Sequence, residues 1–231
     1  ATSGDVTITG DVNTADALTV SSSGDVTSTG ALAFNDDSTI TAAGTLTLGD
    51  INGDSDGDGT GSALTLLAGE GNTTLGNVSG VDGLKLDTTA NTGTATFTVA
   101  DIGKDGGITG AVVVGEETDT ATTLTVTSSL TVDDGTTTAV TVTHGSLLDA
   151  SAVTGSNLAV TGAAGIILKN SSTAILDGDA MLSFDSDENT VAVTGAAGTS
   201  GAYVQGGISA DAAGNTVILN FSSPGVDTVY M

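Results

Sequence analysis

The chain has 231 residues, with 28 acidic against 3 basic side chains, a formal net charge of −25, 34 Gly, 1 Pro and 0 Cys. Lys85, Lys104 and Lys169 are its fixed cations and it has no Arg, so it cannot neutralise a row of phosphates; this excludes nucleic acid as a direct ligand and disfavours anionic membrane surfaces. With 3% aromatic residues and abundant Gly and Thr it does not read as a helix bundle, and with 38% hydrophobic residues and a mean hydropathy of +0.25 it does not read as a disordered acidic chain.

Short apolar alternations closed by Gly and a small or polar residue recur along the chain. In order they are Val6-Thr7-Ile8-Thr9-Gly10, Leu46-Thr47-Leu48-Gly49, Leu64-Thr65-Leu66, Leu84-Lys85-Leu86, Leu124-Thr125-Val126, Leu130-Thr131-Val132, Val140-Thr141-Val142, Leu158-Ala159-Val160, Val191-Ala192-Val193 and Val217-Ile218-Leu219. Period two predicts strands with the aliphatic residues on one face and Thr on the other. No stretch approaches the roughly 18 consecutive apolar residues of a membrane-spanning helix, so no membrane insertion is expected.

Spacing predicts what the strands build. Gly4-Asp5-Val6-Thr7 returns as Gly24-Asp25-Val26-Thr27. Leu46, Leu64 and Leu84, and likewise Val140 and Leu158, follow one another at about 18–20 residues, which is a solenoid coil length. The expected fold is all-β, a parallel β-solenoid with irregular coils of about 18–22 residues. On the order of eleven coils at roughly 4.8 Å each would make a rod roughly 50 Å long. The later echo, Val160 to Gly165 returning as Val193 to Gly198, is more distant and looser. A β-sandwich is the alternative, disfavoured because a narrow solenoid interior takes stacked Val, Ile, Leu and Ala. Residues 1–221 read as one domain, with 49–61 a large loop inside it, and 222–231 as a terminal extension or assembly strand. The numbering opens at Ala1 without a signal-like segment, as in a chain whose leader has been removed or a piece of a longer one.

The stretch Leu148-Asp149-Ala150-Ser151-Ala152-Val153-Thr154-Gly155-Ser156-Asn157-Leu158, with the Gly, Thr, Asp and Val texture around it, resembles the coils of bacterial surface-layer and related calcium-binding β-solenoid proteins. The tandem Gly-Gly-x-Gly-x-Asp repeats of many such relatives are missing. The resemblance implies an extracellular, cell-surface structural protein that forms a homopolymer, as a surface layer or filament, with calcium.

The sharpest local signal is Asp54-Ser55-Asp56-Gly57-Asp58-Gly59. Asp at alternate positions followed by Gly is the first half of a calcium loop, since calcium is a hard cation that takes six to eight oxygens. Counted from Asp54, position twelve is Thr65 where a bidentate Glu belongs, so Asp50, Asn52 or a carboxylate of an adjacent coil is needed to complete the shell. The other reading is a solvated acidic turn. Asp185, Asp187 and Asn189 form a second alternate set. The clusters Asp36-Asp37, Glu116-Glu117-Thr118-Asp119, Asp133-Asp134 and Asp177-Gly178-Asp179 read as turns. The Asn-x-Ser/Thr sequons at Asn72, Asn77, Asn170 and Asn220 are what chance gives in a chain rich in Ser and Thr.

Enzymatic readings are poor. His144 is the single histidine, Cys and Arg are absent, and no Gly-x-Ser-x-Gly elbow is present. A carbohydrate-active solenoid needs paired carboxylates, which Asp177 and Asp179 imitate, but also the basic and aromatic residues that hold sugars. The expectation is therefore a protein that is not an enzyme, with an adhesin or fibre module recognising cell-surface glycans as the alternative. Thr-x-Thr pairs such as Thr7/Thr9, Thr45/Thr47, Thr96/Thr98 and Thr125/Thr127 resemble the ice-binding faces of some antifreeze solenoids. Thr is also simply a good outward strand residue, and uneven coil length argues against a regular face. A solenoid end exposes unpaired backbone groups, so assembly by strand addition is expected, with Val217 to Phe221 and the tail to Met231 as the contact.

Overall fold

The structure is a computed structural model. It describes residues 4–89, 94–104, 108–115, 121–134, 140–142, 146–150 and 152–153, and beyond these the strand backbones 158–162, 166–168, 173–176, 182–183, 190–195, 202–204, 208–209 and 216–221; of residues 133 and 134 only the backbone is described. Among the described residues every strand pair is parallel and there is no helix. The chain is a β-solenoid, and the aliphatic residues of all ten apolar alternations lie within its strands.

Each coil supplies three strand segments, and like segments stack into three ladders. The first ladder carries nine rungs: Val6–Ile8, Val26–Ser28, Leu46–Leu48, Gly71–Leu75, the opening of Ala95–Ile102, the opening of Thr122–Asp134, Leu147–Ala150, Thr173–Leu176 and Ala202–Val204. At about 4.8 Å per rung, these nine rungs among the described residues span roughly 40 Å. The second ladder begins Val12–Asn13, Leu32–Ala33, Ile51–Asn52 and Val78–Ser79, then continues through the far ends of Ala95–Ile102 and Thr122–Asp134 to Leu158–Gly162. The third runs Ala17–Ser22, Asp36–Ala42, Ser62–Ala68, Val81–Thr88, Val112–Val114, Val140–Val142 and Ile166–Leu168. In the last coils Leu182–Ser183 pairs with Ile208–Ser209, and Thr190–Gly195 with Thr216–Phe221.

Register measures the coil. Val6 pairs with Val26 and Val26 with Leu46, so the first coils have the length that the Gly-Asp-Val-Thr repeat predicts. Thr47 then pairs with Thr74, a longer step, and the later pairing of Ala174 with Ala202 is longer again. The spacing of Leu64 and Leu84 is a true register. That of Leu46 and Leu64 is not, because Leu46 is in the first ladder and Leu64 in the third. Val140 and Leu158 likewise stand in different ladders, as do Val160 and Val193. Residues 49–61, expected as loop throughout, contain the strand Ile51–Asn52, with Ile51 1% exposed.

Alternation follows from the pleat: Ser62–Ala68 reads buried, half-buried, buried along its length. Inward residues form columns, among them Ile40, Leu66, Leu86, Val114 and Val142, all fully buried. Burying one such side chain contributes about 1.5–3 kcal/mol. Against the aliphatic interior that composition suggests, Phe34 and Phe97 are the two largest fully buried side chains among the described residues. Gly30 sits where two coils touch closely, and a Cβ there would overlap the Gly10 carbonyl. Residues 222–231 lie outside the described residues.

Candidate metal centre

Most of the acidic side chains near the first coils bind the next coil. Asp5 accepts the Asp25 amide at 3.0 Å, and Asp25 accepts the Thr45 amide at 2.7 Å and its hydroxyl at 3.1 Å. Asp11 accepts from Ala31 at 2.9 Å, Asp37 from Ala63 at 3.0 Å and Asp50 from Asn77 at 2.8 Å. The pairs Gly24-Asp25 and Gly49-Asp50 thus have a joint cause. Gly lets two backbones approach, and the carboxylate beside it satisfies an amide of the coil above.

The loop 53–61 is different. It joins the second-ladder strand Ile51–Asn52 to the third-ladder strand Ser62–Ala68 and is fastened along the side of the stack. The Ser55 amide donates to Asn35 Oδ1 at 2.6 Å, and its hydroxyl donates to the same oxygen at 2.7 Å and to the Thr14 carbonyl at 3.2 Å. One serine therefore ties the loop to both preceding coils. Beyond it the chain turns twice through left-handed glycines, Gly57 with φ 72 and Gly59 with φ 84, conformations that L side chains rarely adopt.

Those turns bring Asp54, Asp56 and Asp58 together, with one carboxylate oxygen from each lying within 4.8 Å of the others. Asp54 is half-buried and the other two are exposed. Amides hold the carboxylates in place: Asp54 accepts from Asp58 and Gly59, both at 3.1 Å, Asp56 from Asp58 at 3.2 Å, and Asp58 from Thr60 at 2.7 Å. Three like charges this close repel one another, and a cation among them removes that repulsion. The donors are all oxygen, which suits a hard cation over one that prefers nitrogen or sulfur.

Of the residues expected to complete the site, Asn52 is exposed and clamps the loop entrance, accepting the Asp54 amide and donating to the Asp54 carbonyl, both at 3.1 Å. Asp50 stands apart, with Oδ1 on the Asn77 amide. Asp185, Asp187 and Asn189 lie outside the described residues, as do His144, Glu116 to Asp119 and Asp177 to Asp179.

One polar group is not signalled by any motif of the sequence. Asp101, 7% exposed, accepts the Ser129 hydroxyl at 2.7 Å and faces Lys104 Nζ at 3.6 Å. Burial pushes its carboxyl up, but hydrogen bonds from Ser129 and Ser128 and the Lys104 charge outweigh that, holding it below the ordinary carboxylate value. Asp101 and Ser129 are register partners on successive coils, far apart in the chain, so only the coil length reveals them as neighbours.

No protein-family model, curated protein or solved structure matches the chain.

Proposed function

We propose that this chain is an extracellular structural protein, not an enzyme, whose coils stack copy upon copy into a cell-surface layer or filament, with calcium held by Asp54, Asp56 and Asp58. The observation that supports the reading is the stack itself, in which each coil pairs in parallel with the next and covers its apolar side chains. An open coil end of such a stack accepts a further parallel rung by pairing its backbone edge, which is strand addition in its simplest form. A second copy of the chain supplies such a rung, and head-to-tail stacking of this kind does not close on itself.

Calcium fits the same scheme. At −25 charges per copy, neighbouring molecules repel unless screened or bridged. The Asp54 loop lies along the side of the stack with Asp56 and Asp58 exposed, so an ion there stands where a neighbouring copy can share it. Negative-stain electron microscopy in millimolar calcium, then in chelator, tests both parts. Ordered sheets or filaments that disperse in chelator are expected. Dispersed particles in both conditions would overturn the reading and direct attention to glycan binding.

A further inference from the structure

The outward column at the centre of the first ladder is threonine on six successive rungs: Thr7, Thr27, Thr47, Thr74, Thr98 and Thr125, each the register partner of the next. The column ends where Thr125 pairs with Asp149. The chain between partners is longer from Thr47 to Thr74 than from Thr7 to Thr27, yet the column does not slip. The unevenness that argues against a regular face is absorbed in the loops.

Strand propensity alone does not explain the column. The matching outward column of the third ladder runs Thr19, Thr39 and Thr65 but is then broken by Lys85 and Val113. Two further observations set the first face apart. No charged residue occurs within its six strand segments, and from Thr47 to Thr125 none stands two residues before the column either, whereas Asp5 and Asp25 do so on the first two rungs. None of the six hydroxyls has a hydrogen-bond partner among the described residues, and each of these threonines is exposed or half-buried. A second row stands two residues earlier on three of the rungs, with Asn72 paired to Thr96 and Thr96 to Thr123.

We propose that this face binds the surface of ice through its threonine column. Successive hydroxyls stand about 4.8 Å apart across the strands, and the second row lies about 6.6 Å away along them. Oxygen rows in hexagonal ice repeat at nearly these two intervals. Threonine is stiff at χ1, so a strand-borne row presents methyl and hydroxyl in one fixed pattern and loses little freedom on contact. Charged side chains would hold hydration shells of their own; on the rungs from Thr47 to Thr98 the first-ladder strand segments and the positions two residues before the column carry none, while Asp5 and Asp25 flank the first two rungs.

The test is thermal hysteresis and ice-crystal shape, measured on the full chain in chelator, where calcium-dependent assembly plays no part and its failure does not affect the result. Faceted crystals and a measurable hysteresis gap are expected. The double variant Thr74→Lys/Thr98→Lys loses the hysteresis while far-UV circular dichroism stays unchanged, and Thr41→Lys on the third ladder keeps it. Should the lysines disturb folding, Thr47→Ser/Thr74→Ser/Thr98→Ser retains the hydroxyls, removes the methyls and lowers the gap. Round crystals with folded wild-type protein would overturn the proposal, as would hysteresis undiminished in either ladder variant. Co-sedimentation with crystalline cellulose or chitin in the absence of ice shaping would reassign the face to a polysaccharide.

Discussion

The first face and the corner between the second and third ladders solve opposite problems with the same chain. On the first face, Thr7, Thr27, Thr47, Thr74, Thr98 and Thr125 are register partners at unequal intervals along the chain, and no residue steps out of the column. At the corner, the connection shrinks to Gly80 in one coil and extends over 53–61 and 103–111 in others. The coil therefore keeps the threonine column in phase by placing extra residues in its connections and in local register shifts, as between Val81 and Gly83 or Val99 and Asp101, away from the column. Strand residues are fixed because a one-residue slip exchanges buried and exposed side chains. Corner residues are free because lengthening a loop adds only slowly to its closure entropy.

The largest effect should come from breaking that division. One residue inserted between Thr74 and Leu75 sends Leu75 outward and uncouples the rung from Val99 above and Leu48 below. Loss of a single cooperative thermal transition is expected. Two glycines inserted between Gly57 and Asp58 should change stability by no more than about 0.5 kcal/mol. Equal damage from the two insertions would show that the corner is as constrained as the face.

This division also sets what the sequence discloses. Alternation is local, so the strands and the all-β solenoid class can be read directly, and the repeat at Val6 and Val26 marks a true register because no long loop intervenes. Pairing between strands is not local. Leu46 and Leu64 mimic a coil in spacing, but the loop 53–61 before Ser62 displaces the third-ladder strand, so their separation crosses from one ladder to another. The candidate site divides in the same way. Asp54, Asp56 and Asp58 converge by turns within one short loop and are legible, whereas Asp50, close by in sequence, is drawn away by an amide of the next coil. Asp101 is invisible in the sequence because its partner is one long coil away.

A smaller effect separates the carboxylates that join coils from those gathered in the loop. Asp25→Ala strips the acceptor from the Thr45 amide and hydroxyl, with an expected cost of about 1 kcal/mol whether or not divalent ions are present. Asp56→Ala should have less effect in chelator but should abolish any rise in Tm on adding calcium. Thermal melts of both variants with and without calcium are decisive. A calcium-dependent Tm in Asp56→Ala would remove the loop from consideration as the ion site.

The smallest effect concerns Asp101, where a ladder strand itself carries a buried charge. Its carboxyl lies below the ordinary value of 3.8, so the folded chain binds the proton less readily than the unfolded one. The stability this contributes is fully present above that ordinary value and disappears as pH falls through the lower, folded value. Ser129→Ala removes the hydroxyl at 2.7 Å and lets the carboxyl titrate at higher pH. The variant should therefore be less stable than wild type near neutrality, with a deficit that narrows in acid. Urea unfolding at a series of pH values measures it. A deficit independent of pH would mean that Ser129 contributes packing alone, and that this charge is held by Ser128 and Lys104.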